Sequence, residues 1–159
     1  MRFDYALRGV MLYARGMPSP KPIPPEPFEP DYDLLTRMRV YRVAVDLIDG
    51  AWEDAQLIVE NPITAICAGQ LYAAVVSIAA NIAEGYSRSS GKDRARFFEY
   101  ALGSARETGV WYRGSRWVLT EEIMAGREKA LAEIRRMLLA IIPRERNRTI
   151  RPRGKPGPG

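Results

Sequence analysis

The sequence has 159 residues, 47% of them hydrophobic, and carries 24 Lys and Arg against 19 Asp and Glu, for a formal net charge of +5. This length accommodates one domain with short extensions and excludes two large domains. The chain contains no histidine and a single cysteine, Cys67, which excludes an internal disulfide framework and removes the commonest general base and transition-metal ligand. We therefore expect a cytoplasmic protein from a reducing compartment.

We predict that residues 1–32 form an N-terminal extension with a proline-rich linker. Seven prolines lie between Pro18 and Pro30, and proline holds the backbone near polyproline II geometry, so this part predicts a semi-rigid spacer. The apolar segment before it contains charged side chains, and we expect neither a signal peptide nor a membrane span. Docking on another subunit or protein, packing on the chain's own bundle and a misassigned start codon remain alternatives for this segment.

Apolar residues at three- and four-residue spacing predict four helices within residues 33–142. The first predicted helix begins at Asp33 or Thr36 and reaches at most residue 61, and the other three cover approximately residues 64–83, 92–119 and 120–143. The short polar turns between them favour an all-α fold, an antiparallel up-and-down four-helix bundle.

Helix boundaries follow from local signals. The Asp49-Gly50 pair predicts an end or a bend in the first helix, so that residues 51–61 either prolong it or form a partly helical connection. Gly85 stands where the second helix would end. The predicted N-caps are Ser89 or Ser90 for the third helix and Thr120 for the fourth, because their hydroxyls can accept bonds from unpaired amides.

Positive charge is concentrated in the C-terminal tail. Residues 143–159 contain six basic side chains against one acidic side chain, so the remainder of the chain sums to zero. Such a Pro- and Gly-rich basic segment predicts a disordered arm that neutralises phosphates, or else a solvated terminus that only aids solubility. The arginines of this predicted arm are Arg144, Arg146, Arg148, Arg151 and Arg153.

The sequence of the third predicted helix indicates a second basic surface. At one hundred degrees per residue its basic side chains fall in one stripe: Lys92, Arg96, Arg106 and Arg113, with Arg88 just before the helix. The opposite side carries Phe97, Ala101, Ala105, Thr108 and Tyr112. The stripe is either a phosphate-binding surface or a solvated outer face whose field Glu99 weakens.

The second helix carries a structural polar cluster at the border of its apolar face: Ser77, Asn81 and Glu84. Because unpaired buried polar groups are costly, we expect partners on a neighbouring helix, an arginine or a backbone group; the alternative is a ligand or RNA contact. We expect Trp111, Tyr112 and Trp117 to pack, while any exposed member could stack on a base.

No catalytic constellation is present in the sequence, and we expect neither an enzyme, nor a cofactor, nor a bound metal. Cys67 has no histidine to activate it and lies in an apolar stretch, which predicts structural burial. The glycines fit neither the phosphate-loop nor the dinucleotide pattern. An enzymatic reading would require a histidine-free site assembled between subunits.

Four segments carry a family resemblance. SIAANIAEG at 77–85 and RFFEYALGS at 96–104, with RVYRVA at 39–44 and IRRML at 134–138, resemble the bacterial four-helix bundle proteins named for the intervening sequences of 23S ribosomal RNA genes. The accessory variability protein of diversity-generating retroelements looks like a more distant relative. The chain departs from the family pattern at Arg106 to Gly109 and in its proline-rich front.

The resemblance implies a barrel-shaped homo-oligomer, typically a pentamer, and for the retroelement relatives binding of a reverse transcriptase and structured RNA. The first hypothesis is therefore a non-enzymatic, oligomeric RNA-binding accessory protein, with a retroelement reverse transcriptase as candidate partner and no membrane contact. The second is a protein-interaction or structural bundle that does not bind nucleic acid.

Overall fold

A computed structural model describes residues 33–148, which form a short 3-10 turn and four α-helices. The turn covers Leu34–Arg37, and the helices are α1 (Arg39–Glu60), α2 (Ala65–Ser87), α3 (Gly91–Ser115) and α4 (Glu121–Arg146). No strand occurs within residues 33–148, so the predicted all-α four-helix fold is confirmed. The predictions for residues 1–32, and for Arg151 and Arg153, lie outside the described residues.

Helix α1 runs unbroken through Asp49-Gly50, so the predicted end or bend at this pair is wrong. Its buried residues, among them Val40, Ala44 and Leu47, recur at three- and four-residue spacing and hold the helix against its neighbours. The predicted break at Asn61-Pro62 is confirmed. The Thr64 hydroxyl closes the turn there by donating to the Ile58 carbonyl at 2.9 Å.

Helix α2 is the most apolar helix and packs between α1 and α3. By length and composition alone α2 could cross a membrane, a property that it shares with the core helices of soluble proteins. Gly85 does not end α2, which continues to Ser87. A Cβ at Gly85 would lie 2.9 Å from Phe98 Cε1, so the glycine serves the close approach of α3.

The predicted N-caps of the last two helices are confirmed. Ser90 Oγ accepts a hydrogen bond from the Asp93 amide at 3.1 Å, and Thr120 Oγ1 accepts one from the Ile123 amide at 3.2 Å. Helix α3 ends at Ser115, four residues earlier than predicted.

Helix α4 continues past Pro143 to Arg146, so that Arg144 and Arg146 are helical rather than part of a disordered tail. A proline removes only one amide donor from a helix, and the carbonyl that loses its partner here belongs to the half-exposed Leu139. The helix therefore ends three residues later than predicted.

The four helices are antiparallel neighbours in chain order, and α4 returns to pack beside α1. Two ion pairs fix this last contact. Arg39 near the start of α1 pairs with Glu133 at 2.6 Å, and Asp54 near its end pairs with Arg127 of early α4 at 2.8 Å. The core between the helices contains Leu71, Val75, Ile78 and Ile82 of α2, as their spacing predicted, with Leu131, Ile134 and Leu138 of α4.

Asp54 is the centre of a buried polar network that joins three helices. Its side chain is 1% exposed and accepts hydrogen bonds from the Tyr112 hydroxyl at 2.7 Å and from Arg127 Nε at 2.8 Å, while Arg127 Nη2 reaches the second oxygen at 3.3 Å. A Cβ at Gly50 would lie 2.4 Å from Arg127 Cζ. Gly50 therefore leaves the space that the Arg127 guanidinium occupies when it pairs with Asp54, which accounts for a glycine in the middle of α1.

The network also changes how two of its members titrate. Burial, and then the hydrogen bond to Asp54, raises the pKa of the Tyr112 hydroxyl well above its ordinary value near 10. The hydrogen bond to Asp54 is the main cause that raises the pKa of the Arg127 guanidinium. Both groups thus keep their protons in the folded state under all ordinary conditions.

Gly50→Ala should destabilise the protein by about 1–3 kcal/mol, because the new methyl group displaces Arg127 and leaves the buried Asp54 carboxylate short of donors. Urea unfolding would measure the change. The control is Gly103→Ala on α3, where a Cβ meets nothing within 4 Å, and which should stabilise by up to about 1 kcal/mol through helix propensity. Equal stabilisation by both substitutions would contradict this account of Gly50.

The Tyr112 pKa makes stability depend on alkaline pH. Because the folded-state pKa is raised, the contribution of Tyr112 is fully present below its unfolded pKa of about 10 and is lost as the pH rises further. Tyr112→Phe should therefore cost about 1 kcal/mol at neutral pH, and this difference from wild type should shrink above about pH 10. Parallel stability profiles from urea unfolding at several pH values would refute the prediction.

Candidate nucleic-acid interface

The start of α3 and the end of α4 lie at the same end of the bundle. Arg94 of α3 pairs with Glu145 of α4 at 3.6 Å, and Glu99 pairs with Arg146. The antiparallel topology also brings the end of α2 here. We call this region the basic end and define it by six exposed side chains: Arg88, Lys92, Arg96, Arg144, Arg146 and Arg148.

The structure thus joins two sets of residues that the sequence predicted separately, the first part of the α3 stripe and the first arginines of the C-terminal segment. Because α1 begins at this end as well, the exposed Arg37 and Arg42 add charge that the sequence analysis missed. The predicted up-and-down topology could have indicated Arg37 and Arg42, because it places the start of α1 beside the end of α4.

The remainder of the stripe runs along α3 away from the basic end. Arg106 and Arg113 are exposed, and at 1.5 Å per residue the stripe extends over about 30 Å from Lys92. The predicted inner side is buried at Ala101, Ala105, Thr108 and Tyr112. Phe97 differs, because it is only half-buried.

Acidic side chains reduce the charge of the basic end without cancelling it. Residues 84–100 and 143–148 together carry seven basic and four acidic side chains. Arg88 pairs with Glu84, and Arg96 lies 3.4 Å from Asp93, but both pairs are exposed and such pairs are weak in water. Their guanidinium groups can therefore exchange a carboxylate for a phosphate at little cost.

Arg94 has a structural role at the basic end. Its guanidinium donates to the carbonyl of Arg88 at 2.8 Å and to the carbonyl of Tyr86 at 2.7 Å, so that it satisfies groups at the end of α2 while it also pairs with Glu145. This half-buried side chain fixes the ends of α2 and α4 relative to α3, and the exposed arginines project from the corner that results.

Aromatic side chains lie among the exposed arginines. The guanidinium carbons of Arg88 and Arg96 lie 4.9 and 5.6 Å from the centroid of the Phe97 ring. Tyr100 meets Phe97 edge to face at 5.8 Å and is 53% exposed. Helical periodicity alone predicts Phe97 on the inner side of α3 and does not single out Tyr100. The three-residue spacing of the two rings next to Arg96 is the signal that places both on one flank of the helix.

The predicted polar cluster of α2 is half-buried, but its partners lie on the same helix. Asn81 Nδ2 donates to the Ser77 carbonyl at 2.8 Å, and Glu84 pairs with Arg88 at the end of α2. The expected kinds of partner are confirmed, a backbone group for Asn81 and an arginine for Glu84, but the expectation that they lie on a neighbouring helix is wrong. A separation of four residues already brings these groups together on one helix face.

Three further expectations about packing meet different outcomes. Tyr112 is buried and Trp111 is half-buried against the core, as expected. Trp117 is 79% exposed, so its expected packing is wrong; it follows the end of α3 and carries the Arg116 guanidinium 4.4 Å from its ring centroid. Cys67 is half-buried at the margin of the core rather than fully buried.

The opposite end of the bundle has an open groove between α3 and α4 of about 420 Å³. Its lining includes Arg113, Arg116, Met124 and Glu128. Within residues 33–148, no three Cys, Asp or Glu side chains converge as a metal ion would require.

These features define the class: a small all-α bundle with an exposed cationic end that bears aromatic side chains. Residues 36–140, about two thirds of the chain, match the family model described as 23S rRNA-intervening sequence protein, and the chain belongs to this family. The resemblance inferred from the four sequence segments is thereby confirmed. The family's description associates its members with ribosomal RNA intervening sequences.

A solved structure shares the fold. The chain is similar to a protein of unknown function from the S23 ribosomal protein family of Bacteroides thetaiotaomicron, whose crystal structure was determined at 1.70 Å resolution. The TM-score is 0.58 and the identity 23%, and the similar region covers 65% of this chain and 97% of the other. No curated protein matches the chain significantly.

Proposed function

We propose that the protein is a non-enzymatic RNA-binding accessory protein that acts as a homo-oligomer. The observation that carries the proposal is the basic end, where three helices bring six exposed basic side chains to one corner. The family's description, which refers to ribosomal RNA intervening sequences, supports RNA as the nucleic acid. Exposed Lys and Arg side chains neutralise phosphates and release bound counterions, which favours binding irrespective of base sequence.

The C-terminal sequence carries further positive charge. Arg151 and Arg153 follow soon after α4 in the sequence, and they would add phosphate contacts to those of Arg144, Arg146 and Arg148. Arg106 and Arg113 would contact a nucleic acid long enough to follow α3.

The proposed oligomer uses the outer face of α2. Four apolar residues on this face are exposed: Ile66, Ala73, Val76 and Ala80. Small side chains allow close helix packing, and a second copy of the chain would cover the apolar surface. An assembly of five subunits in a barrel, as the family resemblance implies, would present several basic ends and multiply weak individual attractions. Within this proposal a retroelement reverse transcriptase is the candidate protein partner.

The second candidate function is protein interaction without nucleic-acid binding. It is favoured by exposed apolar side chains where α1 meets α2: Trp52, Leu57, Val59 and Ile63, of which Ile63 is 86% exposed. A partner protein would bury exposed apolar side chains of this kind, and the basic end would then serve solubility.

The RNA-binding proposal predicts which charges matter. The double variant Lys92→Gln and Arg144→Gln should weaken RNA binding about tenfold at low salt and reduce the slope of log affinity against log salt by about one per lost contact. The matched control is Arg116→Gln with Lys129→Gln, which removes the same charge at the opposite end. Fluorescence anisotropy with labelled structured RNA would measure both. Equal losses in the two variants would contradict a role for the basic end.

The oligomer proposal predicts that Val76→Glu dissociates the assembly, because a charge in an apolar interface is costly to desolvate. Light scattering coupled to gel filtration would give the mass in solution. Leu139→Glu, which places the same charge on an exposed apolar position of α4, is the control and should leave the mass unchanged. An unchanged mass for Val76→Glu would rule out the outer face of α2 as the interface.

A further inference from the structure

The basic end combines cationic and aromatic surfaces in a way that phosphate neutralisation alone does not require. We define the stacking patch as Arg88, Arg96, Phe97 and Tyr100. Both guanidinium groups lie within 6 Å of the Phe97 ring, and Tyr100 stands edge to face against the same ring. Phe97 is half-buried and forms the base of the patch, while Tyr100 presents an exposed ring beside it.

An exposed tyrosine ring beside planar guanidinium groups is suited to contact with nucleobases. Every base has a π-face that can stack on an aromatic ring or on a guanidinium plane, whatever the base sequence. In a duplex these faces are covered by the neighbouring base pairs, and only unpaired nucleotides can offer them to a protein. The flanking phosphates would meet the cations that surround the patch, Lys92 and Arg146 among them.

We infer that the basic end selects unpaired nucleotides, and that a base stacks on Tyr100 while Arg88 and Arg96 hold the adjoining phosphates. This inference rests on the proposed RNA-binding function and adds the class of nucleic acid to it. Tyr100 positions the stacked base and selects unpaired nucleotides. The arginines and Lys92 supply the electrostatic part of the affinity.

Charge alone predicts the opposite preference. A duplex has a higher linear charge density than a single strand and releases more counterions for each contact, so a purely electrostatic surface binds duplex at least as well. A preference for single strands therefore requires a contribution other than phosphate neutralisation, and stacking on the patch supplies it.

The test compares binding of the full chain to an oligouridylate of about 20 nucleotides, longer than common single-strand sites, and to an RNA duplex of equal length, across a salt series. Wild type should bind the single strand more tightly. Tyr100→Ala should weaken single-strand binding about fivefold or more, leave duplex binding unchanged and leave the salt slope unchanged, because no charge is removed. Tyr100→Phe keeps the ring and should retain wild-type affinity.

Trp52→Ala is the matched control, since Trp52 is also an exposed ring edge to face against another ring, that of Tyr72 at 5.7 Å, but lies on α1 away from the basic end and from the α3 stripe. It should leave both affinities unchanged. Salt-dependent RNA binding with no single-strand preference, or with no effect of Tyr100→Ala, would overturn the inference while the proposed function stands. Absence of binding to either RNA at low salt would overturn both.

Discussion

The buried carboxylate of Asp54 is the constraint on which the arrangement of the helices depends. It accepts hydrogen bonds from α3 and α4 while it sits on α1, so one side chain sets the relative position of three helices. A buried ion pair adds little net stability compared with a well-packed apolar cluster, but other registers would leave the charge unpaired at high cost. The network thus specifies the α1 and α4 contact, and through it the corner where the basic side chains meet.

Much of the fold could be predicted because its determinants are local. The caps at Ser90 and Thr120, the break at Asn61-Pro62 and the buried stripe of α2 each depend on residues close in sequence. Gly50 and Gly85 could not be interpreted in this way, because each accommodates a side chain from another helix, Arg127 in one case and Phe98 in the other. A glycine signals a need for space or for unusual backbone, and the sequence does not distinguish the two.

The candidate site was predictable in its charges and not in its geometry. Periodicity placed the basic residues of α3 on the outer side, but only the antiparallel topology brings the start of α3 together with the end of α4. The stacking patch escaped notice because Phe97 lies at the boundary between the inner and outer sides of α3, where helical periodicity cannot decide exposure. For Asn81 and Glu84 the sequence was interpreted as pointing to contacts with another helix. Each side chain instead contacts a residue four positions away in the sequence, Ser77 and Arg88 respectively.

The separation of 73 residues between Asp54 and Arg127 has a kinetic consequence. Helices α1 to α4 meet their chain neighbours across short connections and form those contacts early, whereas the contact of α1 with α4 must close nearly the whole bundle. We therefore expect the Asp54 to Arg127 pair to form after the folding transition state. Interactions formed this late slow unfolding and hardly affect the folding rate, so we expect the contacts between the first and last helices to lengthen the lifetime of the folded subunit more than they speed its folding.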